Sequence, residues 1–127
     1  MREHHVRPAG LPPVNGYSHA VVFSGTLVAV SGQVPLAADG TLAGEDAETQ
    51  VRQVFENLRT ALAAAGGTLD QIVKITVYLT DLGDLGAFRR VRDEYLGTER
   101  LPASSLVQVN GLVHPGFRVE IDAFAAI

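Results

Sequence analysis

The sequence predicts an α+β fold, a mixed β-sheet with two helices laid against one face. Three observations predict it. Val51, Val54, Phe55, Leu58, Ala61, Leu62 and Ala65 recur at helical spacing and form one apolar stripe. Residues 72–79 and 117–127 alternate apolar and polar with period two. The elements follow one another as β-β-α-β-α-β-β, and two helices can cover only one face of a sheet.

Taken in order, residues 1–16 hold Pro8, Pro12 and Pro13 and show no period, so they read as an irregular arm. Tyr17 to Phe23 is β-prone, Ser24-Gly25 signals a turn, and Thr26 to Ser31 is a second short strand, so 17–33 reads as a hairpin. Gly32, Pro35 and Asp39-Gly40 mark a loop. Glu45 to Ala65 is the clearest helix, with an acidic residue near its start and Gly66-Gly67 at its end. In the strand Ile72 to Leu79, Val73, Ile75, Val77 and Leu79 point one way, while Lys74, Thr76 and Tyr78 point the other. Asp84 to Leu96 is the second helix, with Leu85, Phe88, Val91, Arg92 and Tyr95 at helical spacing and Gly97 as its stop. Leu106 to Asn110 and Phe117 to Ile127 are the last strands. The sheet face bearing Lys74, Thr76, Tyr78, Arg118, Glu120 and Asp122 is free of helices and can meet either solvent or a partner subunit.

The 127 residues have room for one domain, 1–127, and for one core without staples. There is no cysteine, which excludes disulfides, thiolate catalysis and cysteine-ligated zinc. The net charge of −4 argues against a nucleic-acid partner, and no run of 18 apolar residues suggests a membrane span. Met1-Arg2-Glu3-His4-His5 leads into no apolar segment, so a cytoplasmic protein is expected.

Four constellations bear on chemistry. Glu120 and Asp122 lie two apart on a strand and share a face about 6.6 Å apart. That spacing suits work on a water or a small substrate, and equally an ion-paired face with Arg118 and Lys74. His4, His5, His19 and His114 show no metal-ligand spacing, so neither a metal nor an organic cofactor is expected. Ser18, Ser31, Ser104 and Ser105 sit in no nucleophile elbow. Arg89, Arg90 and Arg92 read as a solvated basic cluster beside Asp93 and Glu94.

Several segments together resemble the RidA/YjgF family of reactive-intermediate (imine) deaminases, also called endoribonuclease L-PSP. Gly16-Tyr17-Ser18-His19-Ala20-Val21 is similar to that family's Gly-Pro-Tyr-Ser-Gln-Ala-Val, and Ser31-Gly32-Gln33-Val34-Pro35 to its Ser-Gly-Gln-Ile-Pro. The helix 50–62 and the run from Gly66 to Asp81 follow the family pattern. Leu101-Pro102-Ala103-Ser104-Ser105 is similar to Phe-Pro-Ala-Arg-Ser, and Val119-Glu120-Ile121-Asp122-Ala123 to Ile-Glu-Ile-Glu-Ala.

The resemblance implies a chorismate-mutase-like fold and a homotrimer, its three sheets forming a barrel-like centre with a small-molecule cleft between each pair of subunits. It implies hydrolysis of enamines or imines to 2-keto acids and ammonia without a cofactor. Residue by residue, Tyr17, Ser31 and Gly32 take the family's substrate-binding positions, and Glu120 the position of the catalytic glutamate. The carboxylate-binding arginine is replaced by Ser104, and a frequent cysteine by Leu106. A serine offers no fixed fork and no charge, so the chain resembles a subgroup without that arginine. Arg89, at a position often held by asparagine, could reach the same carboxylate. The alternatives are a non-catalytic ligand-binding or regulatory trimer, and an endoribonuclease or translation inhibitor.

Overall fold

A computed structural model describes residues 1–127. Eight strands and helices run in the order β1 (Arg2–His5), β2 (Ala20–Phe23), β3 (Leu27–Gln33), α1 (Ala47–Ala64), β4 (Ile72–Leu79), α2 (Leu85–Leu96), β5 (Ala103–Gln108) and β6 (Val119–Ala126). Four of the strands form one sheet in the order β3-β6-β4-β5. β6 is antiparallel to both β3 and β4, whereas β5 runs parallel to β4. The sheet is therefore mixed, and the α+β expectation stands.

Helix α1 begins where Asp46 accepts a hydrogen bond from the Thr49 amide at 2.9 Å, with Glu48 in the first turn. It ends in a Schellman motif. Gly66 takes φ +83°, its amide bonds the Ala63 carbonyl, and the Gly67 amide bonds Leu62. The stripe read from the sequence is the buried face: Val51, Val54, Phe55, Leu58 and Leu62 are fully buried against Ile75, Val77, Val119 and Ile121. Phe88 and Val91 of α2 close the same core.

One buried polar residue organises the entry to β6. Gln50 donates to the carbonyls of Gly44 and Gly116, both at 2.9 Å, and accepts from the Arg118 amide at 2.8 Å. The Arg118 guanidinium turns away from the strand and grips Asp84 at 3.0 and 3.1 Å, tying β6 to the start of α2.

Three expectations are corrected. The segment 17–33 is not a hairpin. β2 pairs with β1, in a register that sets Arg2 against Phe23, while β3 pairs with β6. The turn at Ser24-Gly25 is real, but Thr26 exchanges both backbone hydrogen bonds with Ile127, which carries the chain into the other sheet. Part of the N-terminal arm is thus a strand, held by β2 and by Arg2, whose guanidinium donates to the carbonyls of Asp70 and Ala126. β5 starts at Ala103 rather than Leu106, because parallel pairing to Lys74–Leu79 recruits the small residues Ala103 to Ser105.

Both helices pack on one sheet face. The opposite face carries the half-buried Lys74, Thr76, Tyr78, Glu120 and Asp122. Between them stand Leu27, Val107 and Phe124, which remain 54%, 44% and 44% exposed. No helix is long and apolar enough to cross a membrane.

Candidate functional site

The sequence-derived site residues fall into two groups on opposite sides of the sheet. Tyr17, Arg89, Ser104 and Leu106 share one cleft of about 350 Å³ at the β5 edge. Arg92 lines it too, with Leu85 and Phe88 forming its apolar floor. Ser104 and Leu106 stand opposite Ile75 and Val77 in the parallel register, so they project to the helix side. Glu120 stands opposite Tyr78 and projects to the uncovered side. Gly32 abuts Glu120, away from the cleft, and Ser31 beside it on β3 lines a shallow hollow with Ala61, Ala64 and Ala65.

The cleft is built by local contacts that leave the polar ends of Tyr17, Arg89 and Ser104 free. The buried Ser18 donates its hydroxyl to the Leu101 carbonyl at 2.7 Å and its amide to Pro102 at 2.9 Å. These bonds hold Tyr17 beside the start of β5. The Tyr17 ring meets His19 edge-on at 6.1 Å. The phenols of Tyr78 and Tyr95 bond Asp122 and Glu56, whereas Tyr17 bonds no protein group. Arg89 is half-buried on α2 and takes part in none of the chain's ion pairs. The cleft therefore offers the unpaired guanidinium of Arg89, the hydroxyls of Tyr17 and Ser104, and no carboxylate in its lining, in a chain of net charge −4, while Ser105 at its rim accepts from Lys74 on the uncovered face. Such a lining favours a small anion. A second hollow of about 340 Å³, beside Arg2 and Arg100, also contains Asp70 and Glu99 and lacks this bias.

Arg92 departs from the sequence reading. It is 5% exposed rather than solvated. Its Nε and Nη2 meet Asp93 at 3.0 and 2.9 Å, Nη2 donates to Asn15 Oδ1 at 3.0 Å and Nη1 to the Asn15 carbonyl at 3.3 Å. The guanidinium also lies 5.6 Å from the Phe88 ring centre. Its place on the apolar stripe of α2 was the available signal. Arg89 and Arg90, off that stripe, do reach the surface to different degrees.

On the uncovered face, Gly32 lies in the bulge that shifts the β3–β6 register between Val30 and Gln33. A Cβ at Gly32 would overlap Glu120 Oε2 and stand 2.8 Å from Cδ, so only glycine leaves the carboxylate its position. Asp122 accepts from the Tyr78 hydroxyl at 3.2 Å, and that hydrogen bond and the adjacent charge push the Tyr78 phenol above its ordinary range. The ion-paired alternative for Glu120 and Asp122 is not formed, since Lys74 donates to Ser105 and Arg118 to Asp84. The histidines bond backbone groups or Glu3 and do not converge: His4 meets the Leu101 carbonyl and His19 that of Pro12, while His114 accepts from the Gly116 amide.

Comparison with known proteins agrees with this fold. The family model described as Endoribonuclease L-PSP matches residues 8–127. A RutC family protein of Pyrococcus horikoshii is 37% identical over 114 residues, 89% of this chain and 88% of its own. Protein DfrA of Myxococcus xanthus is 40% identical over 114 residues, 88% of this chain and 86% of its own. The crystal structure of YyfB from Yersinia pestis, a conserved Rid family protein of unknown function, superposes with a TM-score of 0.89 at 32% identity, covering 99% of this chain and 98% of that one. The chain belongs to the endoribonuclease L-PSP family, also known as the Rid or YjgF family.

Proposed function

We propose that this protein is a homotrimer whose intersubunit clefts bind a small anionic metabolite and hydrolyse its C=N bond. The observation that carries the proposal is the split site. The cationic cleft with Tyr17, Arg89, Ser104 and Leu106 lies on one side of the sheet, and Glu120, with Gly32 against it, on the other. Two such halves meet only if the open face of one subunit is laid against the β5 edge of the next. The exposed Leu27, Val107 and Phe124 on that open face give apolar area for the contact.

In the assembled cleft, Arg89 pairs with the ligand's carboxylate in place of an arginine at position 104. Tyr17 and Ser31 hydrogen-bond the substrate, and Leu106 and Ser104 shape the pocket. Glu120 orients a water against the C=N carbon and takes its proton as the C–O bond forms. Glu120 returns that proton to the nitrogen, the carbinol hydroxyl gives up its own proton to the nitrogen as the C–N bond breaks, and ammonia leaves as the carbon becomes a carbonyl. Positioning and a pre-oriented water supply the rate, with neither metal nor organic cofactor.

A second reading, a non-catalytic ligand-binding trimer in the cytoplasm, is favoured by Ser104, which lacks the charged fork. Two measurements separate the possibilities. Light scattering should give about 40 kDa, three times the 13.5 kDa chain; a monomer overturns the split-site reading. An amino-acid oxidase can generate a 2-imino acid while a trapping amine reports its survival. Accelerated loss of the imine supports hydrolysis, and its absence from an intact trimer that still binds carboxylates selects the binding protein.

A further inference from the structure

The segment that presents Tyr17 to the cleft is fastened from two sides, and one fastening is unusual. After Tyr17, Ser18 is tied to Leu101 and Pro102 by ordinary hydrogen bonds. Before it, Asn15 and Gly16 rest on the buried guanidinium of Arg92. Arg92 donates to both the carbonyl and the side chain of Asn15. Gly16 has φ +76°, and a Cβ there would overlap the guanidinium carbon. The cation and the backbone therefore pack face to face, a fit that needs both the planar fork and the glycine.

We infer that Arg92 is a positioning residue of the cleft: it fixes the Asn15–Gly16 backbone so that the unpartnered Tyr17 hydroxyl points at the ligand. This rests on the proposed carboxylate-binding cleft, in which Arg89 supplies the contacting charge. Burial separates the two roles. Arg92 spends its donors on Asn15 and Asp93 and is 5% exposed, whereas Arg89 is only half-buried and has no carboxylate partner. An order of magnitude in binding is the scale expected when a ligand-contacting hydroxyl loses its place.

The chain has three tyrosines, 17, 78 and 95, so ring-labelled tyrosine spectra resolve each one, and pyruvate serves as the carboxylate probe. In the wild type the Tyr17 ring should give one sharp set of signals that shifts on titration with pyruvate. Arg92→Met and Arg92→Lys should both broaden or split the Tyr17 signals, leave Tyr78 and Tyr95 in place, and weaken pyruvate binding about tenfold. Lysine keeps the charge and loses the fork, so full rescue by Arg92→Lys would overturn the positioning role. Asn15→Ala removes one arm of the contact without altering any charge or Arg92 itself. It should disturb Tyr17 in the same direction and keeps the test decisive if the Arg92 variants fail to fold. Unchanged Tyr17 signals in Asn15→Ala and in a folded Arg92→Met overturn the inference. Arg89→Met should abolish the pyruvate shift while the ligand-free Tyr17 signals stay sharp. Retained binding in that variant would instead overturn the carboxylate-cleft reading and leave the Tyr17 line shapes to judge Arg92.

Discussion

Gly32→Ala separates folding from function. Gly32 does not adopt positive φ, so alanine fits its backbone, and the loss of freedom in the unfolded chain favours folding by about 0.4–1 kcal/mol. The three atoms nearest the new methyl all belong to the Glu120 side chain. Glu120 Cδ would lie 2.8 Å from it, against a normal carbon–carbon contact of about 3.5–4.0 Å. The carboxylate must therefore swing by about 1 Å, which it can do toward the uncovered face at little conformational cost. A displacement of that size between a catalytic group and its target costs about 100-fold in rate. The variant should then unfold at the same or slightly higher urea concentration than wild type, remain a trimer, and lose about two orders of magnitude in the coupled imine assay. Undiminished turnover would refute the role of Glu120. A marked fall in the urea midpoint would show instead that the glycine serves the β3 bulge itself.

Four further outcomes are expected from the same structure. Ser104→Arg should raise turnover of carboxylate-bearing imines by about 10- to 150-fold, the worth of a charge-assisted bidentate pair, measured in the same assay. Gln50→Leu leaves the half-buried Gly44 and Gly116 carbonyls and Arg118 amide without partners and should cost about 3–5 kcal/mol by urea denaturation. Bonds from the Thr49 amide and hydroxyl hold the Asp46 carboxyl below its ordinary value of 3.8. Its stabilisation is present above the unfolded pKa and lost as pH falls through the folded one, so Asp46→Asn should flatten the decline in melting temperature below about pH 4. RNA should not bind with submicromolar affinity at physiological salt, as a filter assay will register, because the chain carries net charge −4 and its cleft holds only two arginines.

What the sequence disclosed was what neighbouring residues decide. The α1 stripe, its Asp46 and Gly66 ends, and the alternation in β4 and β6 depend on residues within a few positions of one another, and each lies where periodicity put it. The errors lie where distant pairing overrides local preference. Arg2-Glu3-His4-His5 has little intrinsic strand tendency and extends because β2 offers it an edge. Thr26 pairs with Ile127, 101 positions away, rather than across the nearby turn. Ala103 to Ser105 joins the sheet through its parallel neighbour. For the site, the residue types at 17, 31, 32, 104 and 120 were legible from their surrounding motifs, but their division between two faces depends on the register of β5 and β6. Arg92 illustrates a conflict between two signals, since spacing placed it inward and charge placed it outward. Burial followed the spacing because Asn15 and Asp93 satisfy the guanidinium.

The position of β6 has a consequence for synthesis. Val119–Ala126 lies between β3 and β4, yet it follows both in the chain. While a ribosome is still making the earlier residues, those two strands have no common neighbour, and the apolar sides of both helices have only part of a sheet to rest on. The nascent polypeptide must carry open strand edges until β6 emerges and slots into the middle. Completion of the sheet thus coincides with the arrival of Glu120, so a chain halted before β6 lacks both its central strand and its candidate catalytic carboxylate.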